Sequence, residues 1–126
     1  MPRQPWIGCC RRCGRNIENR IYGRSETMPA PHLIDLEVTQ GLGRLLREYG
    51  KVSANRATQV IDDLLDLRMV RYSHAVLLPQ VWQYRHNLSA YAAAYIALAE
   101  NLGAPLLTRD ARLASASGHR AIVELF

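Results

Sequence analysis

The sequence predicts a small α/β domain built on a short parallel sheet. Three observations carry that expectation. The chain has 126 residues, the size of one domain. Short β-prone runs bounded by turn residues lie at Met69–Tyr72, Leu106–Thr108 and Ala121–Leu125. Between and before them, apolar residues recur at helical spacing, and short apolar strands alternating with helices are the pattern of a parallel sheet.

His32 to Tyr49 places Ile34, Val38, Leu42, Leu45 and Leu46 on one helical face, and Gly50 ends the run. Ser53 caps a second helix in which Ala57, Val60, Ile61, Leu64 and Leu65 repeat at i, i+3, i+4, i+7 and i+8. Asp62, Asp63 and Asp66 then fall on its solvated face. Leu77 to Asn87 returns to helical spacing through Leu78, Val81, Trp82 and Arg85, with Pro79 in the first turn and Trp82 expected to anchor the core. Ser89 caps the clearest helix, whose Tyr91, Ala94, Tyr95, Leu98, Ala99 and Leu102 form a buried stripe that Gly103 stops. After Leu106–Thr108, Asp110 caps a helix over Ala111–Ser117, and Gly118 closes it. Three strands make a poor parallel sheet. Neither residues 5–10 nor residues 20–22 read as the Val/Ile-rich run expected at a sheet centre.

The front of the chain differs from the rest. The formal charge is +5, and residues 1–26 hold six arginines against Glu18 and Glu26, so four of the five excess charges fall there. All three cysteines (Cys9, Cys10, Cys13) lie there too. Residues 1–27 thus read as an atypical basic, Cys-containing segment ahead of a domain over 28–126. A basic arm suits an anionic partner such as nucleic acid. Cys10-x-x-Cys13 is half of a zinc-ribbon signature without a second pair, and free thiols in a basic arm are the plainer reading. The front carries no secretory apolar stretch, no window has the ~18 apolar residues of a membrane span, and a cytoplasmic location is expected.

Four segments carry a resemblance. Ala30-Pro-His-Leu-Ile-Asp-Leu-Glu-Val38, Val81-Trp-Gln-Tyr-Arg-His-Asn-Leu-Ser-Ala-Tyr91, Ala94-Tyr-Ile-Ala-Leu-Ala-Glu-Asn-Leu-Gly103 and Leu106-Leu-Thr-Arg-Asp-Ala-Arg-Leu-Ala114, in that order, resemble PIN-domain ribonuclease toxins of the VapC family. The resemblance covers residues 28–126. It implies a three-layer α/β/α fold with a short parallel sheet, here lacking a normal first strand. It also implies an endoribonuclease toxin of a type II toxin–antitoxin pair, using Mg²⁺ or Mn²⁺ held by grouped carboxylates. RNA would be the substrate, a cognate small antitoxin the partner, and a homodimer the expected assembly. Hard divalent cations favour oxygen ligands, and the ion activates water and offsets phosphate charge.

Carried over residue by residue, the resemblance assigns Glu37 and Asp110 as the catalytic, metal-binding acids. It places Ala92 where the family has a metal-binding aspartate, in Tyr91-Ala-Ala-Ala-Tyr95, and finds no counterpart in residues 1–26 of the acid that ends the family's opening strand. Asp35 is a poor substitute, since two residues from Glu37 it points about 200° away around the helix. Asp110 also reads as an ordinary N-cap. Arg85 and Arg112, with Arg109, flank the implied cleft as phosphate contacts or as ordinary surface charges, and Thr108 either orients a water or ends its strand. With two of four acids missing, the expectation is an impaired nuclease. The alternative is a non-catalytic PIN remnant that binds antitoxin or RNA.

Overall fold

A computed structural model of the chain describes residues 7–9, 28–48 and 50–125. In chain order the elements are β1 (Ile7–Cys9), β2 (Met28–Pro31), α1 (Leu33–Arg47), α2 (Ala54–Asp66), β3 (Met69–Tyr72), a 3₁₀ turn (Ala75–Leu77), α3 (Leu78–Gln83), α4 (Ala90–Leu102), β4 (Leu106–Thr108), α5 (Ala111–Ser115) and β5 (Val123–Leu125). The architecture is the expected mixed α/β, with parallel strand pairing throughout. Among the described residues no helix is long and apolar enough to cross a membrane.

The strands form two ladders, β1–β4–β5 and β2–β3. β4 is the middle strand of the first, and Leu106, Leu107 and Thr108 are all buried. The front of the chain supplies a strand after all, but one of only three residues, Ile-Gly-Cys, paired with Leu106–Thr108. So short a strand with a central glycine has no periodic signature to detect. Residues 20–22 and the Cys10-x-x-Cys13 motif lie outside the described residues.

The strand that the sequence reading missed outright is β2, Met-Pro-Ala-Pro. Proline lacks the N–H that a ladder requires. Here the prolines alternate with donors: Met28 N–H bonds the Arg68 carbonyl at 3.0 Å and His32 N–H bonds that of Tyr72 at 3.0 Å, both on the β3 side. Pro29 and Pro31 therefore fall on the opposite edge. That edge lies beside β1. With no N–H to offer at either position, β2 presents only carbonyl acceptors toward β1, and among the described residues the two strands belong to separate ladders.

The core is centred on α4. Residues Ala93 through Ala99 are all buried, so this helix is enclosed on every side rather than along one stripe. It packs against α3, β1, β2 and β4. Its ends are fixed by local chemistry: the Ser89 hydroxyl accepts the Ala92 N–H at 3.2 Å, and Gly103 closes the helix in the left-handed conformation at φ 58°. Gly103, Ala104 and Pro105 then return the chain into β4. So short a link makes the helix and strand antiparallel.

Two aromatic expectations are corrected. Trp82 is no core anchor, being 68% exposed, because the inward face of α3 is set by Leu77, Val81 and Tyr84, and Trp82 lies about 100° from Val81. Its ring is covered on one face by the Arg85 guanidinium, 4.8 Å from the centroid. Tyr91 is likewise 66% exposed, because the buried part of α4 begins only at Ala93.

Candidate active site

Glu37 lies in the second turn of α1, just beyond the end of β2, and is half-buried. It accepts a hydrogen bond on Oε2 from the Tyr95 hydroxyl at 3.1 Å. Tyr95 is fully buried on α4. Ala92 precedes it by three residues, which on a helix is the same face one turn nearer the N-terminus. Ala92, where the resemblance leads one to expect an aspartate, thus sits on the face of α4 that reaches Glu37.

Asp110 follows β4 directly. Its N–H donates to the Thr108 hydroxyl at 3.0 Å, and its Oδ1 accepts the N–H groups of Arg112 at 2.9 Å and Leu113 at 3.4 Å. The capping reading of Asp110 is therefore correct. Both bonds fall on one oxygen, so capping and ligand binding do not exclude each other. Thr108 is buried and sets the turn that leads into the cap. Because α4 runs antiparallel to β4, its N-terminal end, with Ala92, lies toward the end of β4 from which Asp110 emerges.

The other acids are accounted for elsewhere. Asp35 is engaged by Arg71, whose Nε lies 2.9 Å from Oδ1 and 2.8 Å from Oδ2. A guanidinium bound this way offsets the charge a cation would need. Asp62, Asp63 and Asp66 are exposed on α2, as expected. Among the described residues no group of three or more His, Cys, Asp or Glu side chains is gathered as a metal site. Arg85 and Arg112 are exposed, the former donating to the Trp82 carbonyl at 3.0 Å; Arg109 is also exposed.

One polar cluster escaped the sequence reading. Glu100, at the far end of α4, accepts bonds from the Tyr84 hydroxyl at 2.7 and 2.6 Å, the Arg120 N–H at 2.8 Å, and the Gln80 amide. It joins α3, α4 and the segment before β5. Burial opposes ionisation of Glu100, but the bonds from Tyr84, Arg120 and Gln80 and the Arg120 charge outweigh it and hold its pKa below the ordinary value of 4.5. A carboxylate with a lowered folded-state pKa contributes stability that is present above its unfolded value and lost as pH falls through the folded one. Acid unfolding of the chain should accordingly steepen below pH 4.5, and Glu100→Gln should flatten that dependence in pH-resolved urea melts. An unchanged slope would remove Glu100 from the acid response.

A small α/β domain with carboxylates placed after two of its parallel strands is an arrangement suited to binding ligands at the strand ends. Comparison with known proteins gives it a family. The chain is 44% identical over 90 residues to Ribonuclease VapC1 of Mycobacterium tuberculosis, covering 71% of this chain and 67% of the relative. It is 41% identical over 91 residues to Ribonuclease VapC9 of the same organism, covering 71% and 69%. With Ribonuclease VapC12, again of M. tuberculosis, identity is 35% over 113 residues, 89% of this chain and 84% of the relative. No family model matches. On these relatives the chain belongs to the VapC ribonuclease family of PIN-domain proteins. The VapC12 match is too long to fit within residues 28–126, so it takes in part of the front segment as well.

Proposed function

We propose that this chain is a metal-dependent endoribonuclease toxin of a toxin–antitoxin pair, impaired by a shortage of acidic ligands. The observation that carries the reading is the Glu37 carboxylate held by the Tyr95 hydroxyl at 3.1 Å, one turn along α4 from Ala92, in a chain whose relatives bear the name ribonuclease. Glu37 and Asp110 would hold Mg²⁺ or Mn²⁺. Two carboxylates suit such an ion, because Mg²⁺ is commonly held by one or two carboxylates and completes its shell with water and substrate phosphate. When bound, the ion supplies an activated water and offsets charge on the scissile phosphate.

The protein's own part is positional. Tyr95 fixes Glu37, Thr108 and the α5 cap fix Asp110, and Arg112 stands exposed two residues beyond Asp110 as a phosphate contact. RNA is the substrate and a small antitoxin the partner, its acceptor surface being the acidic cleft. A second copy pairs through the apolar stripe of α1, where Leu46 is exposed.

The absence of a third acid among the described residues favours one other reading, a remnant that binds antitoxin or RNA without cleaving. Mn²⁺ titration followed by the EPR signal of the free ion separates the two. The nuclease reading expects saturable binding that Glu37→Gln weakens by about tenfold or more, alongside slow RNA cleavage in Mg²⁺. Cleavage undetectable at high enzyme concentration, with RNA still bound, would establish the remnant instead.

A further inference from the structure

Glu37 is a long, half-buried side chain in the second turn of α1, and α4 supplies a donor that holds it in one orientation. We infer that Tyr95 is a positioning residue for the metal-binding carboxylate. This rests on the assignment of Glu37 as a ligand.

The ring of Tyr95 is fully buried in the core formed by α4 and its neighbours. A tyrosine so enclosed loses both of its torsional freedoms, and its hydroxyl must find a partner or pay the desolvation cost of a buried polar group. It donates to Glu37 Oε2 at 3.1 Å, 58 residues away in sequence. A bond from a rigid buried donor removes rotamer freedom that a glutamate otherwise surrenders only on binding its ion. Ligands pre-set in this way by their hydrogen-bond partners bind metals more tightly.

The chemical character of the donor matters as much as its rigidity. Asp35, two residues before Glu37, is bonded to the guanidinium of Arg71 at 2.8 Å, and a cation there neutralises the carboxylate it orients. The Tyr95 hydroxyl is neutral. It orients Glu37 without adding a charge of its own. Two acids on one helix thus meet donors of different character, the guanidinium of Arg71 for Asp35 and the phenol of Tyr95 for Glu37.

Tyr95→Phe removes the hydroxyl and keeps the buried ring. The test measures Mn²⁺ affinity by EPR in the full chain, in Tyr95→Phe, in Glu37→Gln and in the double variant, with a thermal melt of each. Expected are a loss of affinity of about tenfold in Tyr95→Phe, a cooperative melt close to that of the unaltered chain, and no further loss when the substitution is added to Glu37→Gln. That last non-additivity separates positioning from a merely structural role, which would lower affinity equally in both backgrounds. Full affinity in Tyr95→Phe beside weakened binding in Glu37→Gln would overturn the positioning role and leave the ligand assignment standing. An unaffected Glu37→Gln, or no Mn²⁺ binding by the unaltered chain, would overturn both. Loss of cooperative unfolding in Tyr95→Phe would make the hydroxyl a folding element and overturn the inference alone.

Discussion

Ala92→Asp should raise Mn²⁺ affinity by about tenfold or more and RNA cleavage by about 10²-fold, the scale on which removal of one preorganised electrostatic group is felt in other enzymes. The site for the new carboxylate is already prepared. Residue 92 is the third helical position after the Ser89 cap, whose hydroxyl accepts its N–H at 3.2 Å. A negative charge there is favoured by the helix dipole by about 0.3–1 kcal/mol. It also lies one turn from Tyr95, and so on the side of α4 that touches Glu37. Partial burial of Ala92 against the core opposes this gain, so overall stability should move by no more than about 1 kcal/mol. Cleavage of a structured RNA in Mg²⁺, compared for the two chains at equal concentration, is the measurement. Equal rates, with Mn²⁺ affinity also unchanged, would place residue 92 outside the site.

Ile96→Ala should destabilise the fold by about 3 kcal/mol, within the 2–5 kcal/mol typical when a buried Ile is truncated to Ala. Ile96 is completely buried at the centre of the helix that β1, β2, β4 and α3 all share. The better helix propensity of alanine recovers only a few tenths of a kcal/mol. Domains of this size are commonly stable by about 5–15 kcal/mol, so the loss is a large fraction and should lower the melting midpoint by roughly 10 °C. Urea unfolding of both chains reads the difference directly. A cost under about 1 kcal/mol would mean that the helix relaxes into the vacated space and is not the fixed centre of the fold.

Much of this protein was legible in its residue pattern. The strand Met69–Tyr72, the Ser53 and Ser89 caps, the stop at Gly103 and the Asp110 cap are all where local chemistry places them. Such features depend on contacts within a few residues of chain. Membership of the family was legible too, from four ordered segments, and the relatives of M. tuberculosis bear it out. The aromatic residues were harder. Helical spacing could not tell that α3 would turn Val81 inward and leave Trp82 to solvent, because that choice is made by the helix's neighbours. Nor could it show Glu100 collecting donors from α3 and from the segment before β5.

By itself the sequence determined where helices begin and end, which residues are oily enough to form a centre, and which acids the family resemblance selects. Tertiary structure alone decided how those acids are used: Asp35 meets a guanidinium, Asp110 meets two N–H groups, and Glu37 meets a phenol. The physical reason is that a carboxylate's chemistry depends on the charge and rigidity of its nearest donors. Those donors come from strands and helices distant in the chain, brought close only when α4 is buried.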